Sequence, residues 1–229
     1  MKQKTKLILA LDVESKQKAG YFLNKLYPQI KIFKVGFQLF TAAGPEVIRL
    51  VQKKGGEVFL DLKLLDIPNT VASAVRQAVG LKVKMLTLHI LGGEEMLKQA
   101  VIAAQTESRR LNVRKPLLIG ITVLTSKEAK SQEVLKLAKT GIACGLDGVV
   151  CSVRELPFLK KKIKKQFLSV TPGIRLDRAS GDDQKRTATI EEALRSGSDY
   201  MVVGRPILKA RDPLLVAKEI LAQIKKSRD

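Results

Sequence analysis

The densest run of reactive side chains is Asp61-Leu62-Lys63-Leu64-Leu65-Asp66-Ile67-Pro68-Asn69-Thr70. Residues two apart on a strand face the same side, so Asp61 and Lys63 point together. If Leu60 and Leu62 pack outward beneath helices, both charges face the open centre of the fold. Burying a carboxylate with an ammonium is costly unless each compensates the other. Flanking carboxylates also favour the protonated form of Lys63, which keeps a proton available. Asp66 comes after the strand, and Pro68 suits the first turn of a helix, so Asp66 belongs to the connecting loop. A surface salt bridge is the plainer reading, but the intervening residues are too apolar for an exposed loop. His89 is the only histidine. A His-rich zinc site within one chain is thereby excluded, Ser-His-Asp chemistry is possible only through His89, and acid–base work falls mainly to Asp, Glu and Lys.

A second group suits an anion. Gly204 allows close backbone approach, and Arg205 offers a bidentate guanidinium suited to phosphate. Pro206 opens a short segment, Ile207 to Lys209, ahead of a last helix at Pro213. The connection from Pro172 to about Ala188 carries Gly173, Arg175, Arg178, Gly181 and Gln184. That composition suits a mobile lid closing over an anion, or simply a flexible loop.

These residues need elements to hold them. Eight short apolar runs begin near Leu7, Ile30, Glu57, Lys84, Leu117, Asp147, Phe167 and Tyr200. Several are almost continuously apolar, as expected of parallel strands covered by helices. Each interval is long enough for a strand, a loop and a helix. Between them, Phe40, Ala43, Val47 and Val51 recur at helical spacing before a stop at Gly55-Gly56. Leu214, Ala217, Leu221 and Ile224 form one face of the last helix. The expectation is a single-domain (β/α)₈ TIM barrel over residues 1–229, with an open doubly wound sheet as the alternative. In such barrels the active site lies at the C-terminal strand ends. Those ends carry Asp12, Lys34, Asp61, Lys63, His89, Thr125, Thr171 and Gly204-Arg205.

Composition excludes other classes. The 45% hydrophobic and 28% charged content fits a well-cored globular chain. No apolar run approaches the roughly 18–20 residues that span a bilayer. The basic N-terminus is followed only by Leu7 to Leu11 before Asp12 and Glu14, which argues against a secretory signal. Cys144 and Cys151 form no CxxC pattern and read as buried small hydrophobes. The net charge of +20 could steer a phosphorylated anion or attract nucleic acid. With 4% aromatics and no RNA-binding signature, Lys160 to Lys165 reads as a solvated surface run.

The pattern Asp61-x-Lys63-x-x-Asp66-Ile67-Pro68-Asn69-Thr70 resembles the signature of the orotidine 5′-phosphate decarboxylases. The resemblance spans essentially the whole chain through Leu9-Ala10-Leu11-Asp12, Lys34-Val35-Gly36, Thr171-Pro172-Gly173-Ile174-Arg175, Gln184 and Val202-Val203-Gly204-Arg205-Pro206. It implies conversion of orotidine 5′-monophosphate to UMP and carbon dioxide in de novo pyrimidine synthesis. No cofactor and no metal are implied. Lys63 is implied as the acid that protonates C6, with Asp61 against the departing carboxylate and Lys34 completing an alternating charge network. Asp12 and Lys34 are implied to contact the ribose hydroxyls, and Thr125 the pyrimidine edge. As a loop hydroxyl or a helix cap, Thr125 has a plainer reading. Arg175, Gln184, Gly204 and Arg205 fall to the phosphate and its lid. Asp66, Ile67 and Thr70 are implied to reach the neighbouring subunit's site in a cytoplasmic homodimer. Leu65 departs from the histidine of many members, and His89 is left without a role. A metal-dependent sugar-phosphate decarboxylase or aldolase is the nearest rival, but such enzymes generally carry an acidic residue where this chain has Lys34. A basic nucleic-acid-binding protein is the other alternative.

Overall fold

The computed structural model describes residues 5–124, 130–176 and 187–227. Its barrel strands are β1 (Lys6–Ala10), β2 (Ile32–Gly36), β3 (Glu57–Leu64), β4 (Met85–His89), β5 (Leu117–Ile121), β6 (Gly148–Val150) and β7 (Leu168–Thr171), closed by β10 (Tyr200–Val203). All pair in parallel, and β10 joins β1 to β7 to complete the ring. The eight expected strands are present, each starting within two residues of the position read from the sequence. Closure rules out the open sheet. Two further short strands, β8 (Ile174–Arg175) and β9 (Ala188–Thr189), pair with each other at the base of the β7–β10 connection. Strands of two residues are too short for hydrophobic patterning to register.

Side chains inside the barrel and beneath the helices form two separate cores. Inside are Ile8, Ile32, Phe59, Met85, Ile119 and Val170 with their neighbours. Between strands and helices lies a larger layer that includes Phe33, Leu60 and Leu86. Strand alternation produces this division: Phe59 faces in and Leu60 faces out. Each fully buried Leu, Ile or Phe contributes roughly 1.5–3 kcal/mol, so the interior is a packed plug and only its upper rim is left for polar groups.

Among the described residues the α-helices are α1 (Lys16–Leu26), α2 (Phe37–Ala43), α3 (Glu46–Lys53), α4 (Pro68–Gly80), α5 (Gly93–Arg110), α6 (Ser131–Ala143), α7 (Leu156–Lys162), α8 (Ile190–Arg195), α9 (Arg205–Leu208) and α10 (Pro213–Lys226). The periodicity from Phe40 to Val51 proves to belong to two helices. Gly44, at φ 56°, ends α2, and Pro45 caps α3. Spacing alone does not register a bend that keeps both apolar faces on the core. Gly55, at φ 90°, turns the chain after α3 as expected. Pro68 and Pro213 occupy first turns, and Asp212 caps α10 by accepting from the Leu214 and Leu215 amides. Cys144 and Cys151 are buried free thiols. Lys160, Lys161, Lys162, Lys164 and Lys165 are exposed.

Candidate active site

Three adjacent strands bring four charges into one line at the barrel's C-terminal end. Asp12, just past β1, accepts at Oδ1 from Lys34 Nζ at 2.9 Å. Lys34 Nζ lies 3.5 Å from Asp61 Oδ2, and the same oxygen accepts from Lys63 Nζ at 2.8 Å. The signs alternate and cancel. Side-chain exposure is 11% for Asp61 and 12% for Lys34, against 27% for Lys63 and 55% for Asp12. The central pair is therefore desolvated, while Lys63 keeps access to the space above it.

Burial alone disfavours both central charges. For Asp61 it pushes the pKa up, but Lys34, Lys63 and the hydrogen bonds from Lys63 and Thr87 win, holding the carboxyl below its ordinary value. For Lys34 it pushes the pKa down, but Asp61 and Asp12 win, holding the ammonium above its ordinary value. Both groups are charged at neutral pH. Room for the network depends on Gly36, where a β-carbon would stand 3.0 Å from Lys34 Nζ.

Asp61 and Lys63 do meet, but not through the regular strand that alternation implies. The β3–β4 register slips between Leu60 and Leu64, and Lys63 takes a left-handed backbone at φ 46°. A bulge of this kind re-aims a side chain and is common beside active sites. Thr87, absent from the sequence-derived candidates, sits opposite the bulge, fully buried and bonded to both Asp61 and the Lys63 amide. A polar residue at an inward position of the apolar run Met85-Leu86-Thr87-Leu88 was the available signal. Phe37 was also missed; its ring centroid lies 5.7 Å from Lys63 Nζ.

Above the network is a cavity of about 230 Å³. Asp12, Lys34, Asp61 and Lys63 line one side, and Ile121, Val123, Leu124, Val150 and Val170 form an apolar wall. Gly173, Arg175, Gly204 and Arg205 line a further end, where α9 begins directly after Gly204. A β-carbon at Gly204 would also press on Ala10 at 3.3 Å, so this glycine serves strand packing as well as an open approach.

Other expected residues lie elsewhere. Asp66, Ile67 and Thr70 are exposed and do not line their own chain's cavity. Asp66 Oδ1 accepts from the Ile67 amide at 2.6 Å on the loop before α4. Thr125 and Gln184, with Arg178 and Gly181, fall outside the described residues. His89 ends β4, half-buried and away from the cavity lining, and Leu65 is exposed. Among the described residues, no group of three or more His, Cys, Asp or Glu side chains is gathered to hold a metal ion.

The model of the orotidine 5′-phosphate decarboxylase / HUMPS family matches residues 5–220. The chain belongs to that family. An orotidine 5′-phosphate decarboxylase from Dictyoglomus turgidum is 43% identical over 95% of this chain and 94% of its own length. One from Moorella thermoacetica is 42% identical over 98% of this chain and 94% of its own. Among solved structures, orotidine 5′-phosphate decarboxylase from Lactobacillus acidophilus superposes with a TM-score of 0.84 at 35% identity, covering 96% of this chain and 98% of that one. The family joins decarboxylases with HUMPS proteins, so membership alone does not choose the reaction. The position of Lys34 bears on that choice.

Proposed function

We infer that the chain is an orotidine 5′-phosphate decarboxylase, converting orotidine 5′-monophosphate to UMP and carbon dioxide in pyrimidine biosynthesis. The observation that carries the reading is the ammonium of Lys34 between Asp12 and Asp61. A divalent cation held by those two carboxylates would meet a fixed positive charge, so the pair favours a cofactor-free reaction over a metal-assisted sugar-phosphate lyase.

In the proposed reaction the C6–carboxylate bond breaks, the electron pair remains on C6, and carbon dioxide leaves. Lys63 Nζ donates a proton to C6 and is later reprotonated from solvent. The developing carbanion has no π-system positioned to receive its charge, so stabilisation falls to fixed charges in a water-poor cavity. Asp61 stands against the substrate carboxylate and favours its departure. Asp12 and Lys34 hold the ribose hydroxyls, and Thr125 the pyrimidine edge. Gly204, Arg205, Arg175 and Gln184 are assigned to the phosphate. Binding energy from the phosphate then supports the chemistry at the reacting end. One barrel domain carries each set of these residues.

The active form is a homodimer with shared sites. Asp66, Ile67 and Thr70 are exposed and absent from the lining of their own cavity, and Phe37, Leu65, Ile67 and Leu91 are large apolar residues left more than half exposed. All four lie just beyond the ends of β2, β3 and β4, a location suited to burial against a second copy. No described helix is long and apolar enough to cross a membrane. A cytoplasmic enzyme acting on a small phosphorylated substrate, with no nucleic-acid partner, fits these features.

Steady-state turnover of orotidine 5′-monophosphate, with and without chelator, tests the reaction. We expect release of UMP and carbon dioxide at an unchanged rate in chelator. Absence of turnover, or turnover only of a sugar phosphate and lost with chelator, overturns the reading.

A further inference from the structure

We propose that Thr87 is a positioning residue for the reaction: its hydroxyl fixes both the Asp61 carboxylate and the left-handed backbone that aims Lys63. This rests on the proposed decarboxylation. The argument begins with the register. Leu60 pairs with Leu86 and Leu64 with Leu88, so Asp61, Leu62 and Lys63 stand opposite Thr87 alone. Two residues more on β3 than on β4 leave part of the ladder unpaired there, and a buried amide without a partner is costly. Thr87 supplies that partner: Oγ1 accepts from the Lys63 amide at 2.8 Å. Its one proton goes to Asp61 Oδ1 at 3.0 Å. A hydroxyl has one donor and two acceptor sites, and this geometry uses both capacities at once.

The two bonds act on different parts of the same pair. Holding the Lys63 amide supports a backbone at φ 46°, which an L-residue rarely adopts unless its surroundings hold it there. Holding Oδ1 leaves Oδ2, the other oxygen of Asp61, facing Lys34 and Lys63. Thr87 itself is fully buried and does not line the cavity, so its influence passes through those two residues. Valine matches threonine in shape but offers neither the donor nor the acceptor.

Thr87→Val and Thr87→Ser separate hydroxyl from packing. For T87V we expect kcat to fall about thirtyfold or more, the size of a lost hydrogen bond to a charged group. UMP affinity should stay within about threefold, because the phosphate end is untouched. The acid limb of the kcat/KM profile should move to higher pH, since Asp61 loses a bond that favours its charged form. T87S should recover most of kcat and the wild-type pH profile. If T87V does not fold, Thr87→Cys, similar in size with only a weak S–H donor, replaces it and should fall between the serine variant and a full loss. A T87V or T87C enzyme within threefold of wild-type kcat, or a T87S enzyme as impaired as T87V, overturns the proposal. A crystal structure of the same variant keeps the outcome separate from the reaction itself. Even if the wild type does not turn over orotidine 5′-monophosphate, Lys63 should leave φ 46° and the 2.8 Å contact with Asp61 should open; unchanged geometry refutes the role of Thr87.

Discussion

At the β2–β3 side of the cavity, Asp12, Lys34, Asp61 and Lys63 touch in sequence and cancel in sign, whereas the lining beside β8 and α9 includes two guanidinium groups, those of Arg175 and Arg205. In the first region the charges hold one another in place. The second brings two guanidinium groups to the cavity wall. An enzyme that must stabilise a carbanion benefits from charges that do not reorganise during the reaction. One that must capture a phosphorylated substrate benefits from guanidinium groups directed at an anion. Under the proposed reaction these two ends divide the labour, with rate set at one and capture at the other.

Changes at the reacting end should give the largest effects. Lys63→Ala should lower kcat by about a thousandfold or more, within the usual range for general acid catalysis, while UMP binding stays nearly intact by calorimetry. Retention of a tenth of wild-type kcat would remove Lys63 from the acid role. A mixing experiment sharpens the same comparison by asking which subunit completes that end. Lys63→Ala and Asp66→Asn homodimers should each be nearly inactive. Exchanging their subunits should create heterodimers with one doubly damaged site and one intact site, giving activity near half that of wild type. Exchange verified by native mass spectrometry without recovered activity would place the action of Asp66 within its own chain.

The capture end should respond differently. Arg205→Ala should raise KM for orotidine 5′-monophosphate by roughly 10–150-fold, as expected for a lost charge-assisted hydrogen bond. Turnover of a substrate without the phosphate should hardly change. Equal loss on both substrates would mean that Arg205 supports the fold.

The central ion pair also ties stability to pH. Asp61 has a folded pKa below its ordinary 3.8, so its contribution is present above that value and lost as pH falls through the folded one. Lys34 has a folded pKa above its ordinary 10.5, so its contribution is present below that value and lost as pH rises through the folded one. Denaturant midpoints should therefore depend little on this pair between about pH 5 and 9. Asp61→Asn should remove the acid-side share of the loss, and an unchanged acid slope would refute the assignment. The smallest effect is expected at Gly36→Ala, whose β-carbon would crowd Lys34 Nζ by a few tenths of an ångström. A drop of a few-fold in kcat/KM, seen in steady-state assays, would match that shift; no change would mean that Lys34 has slack.

By itself the sequence determined the barrel and the chemical character of its rim. Eight apolar runs separated by helix-length intervals demand buried parallel strands, and Asp12, Lys34, Asp61, Lys63, Gly204 and Arg205 could be placed at their ends because strand ends follow from hydrophobic patterning. The bend at Gly44-Pro45 was not legible, because two helices sharing one apolar face keep the spacing of a single helix. Nor was the bulge at Asp61 to Lys63 legible, since alternation describes a regular ladder and a slipped register leaves the same residue types in the same order. Only the tertiary structure decided that Thr87 stands opposite that slip and that Gly36 leaves space for Lys34, because both depend on what the neighbouring strand presents. It also decided that Asp61 and Lys34 are the desolvated pair. Burial of a charge depends on everything packed around it, and a sequence lists neighbours along the chain rather than across the barrel.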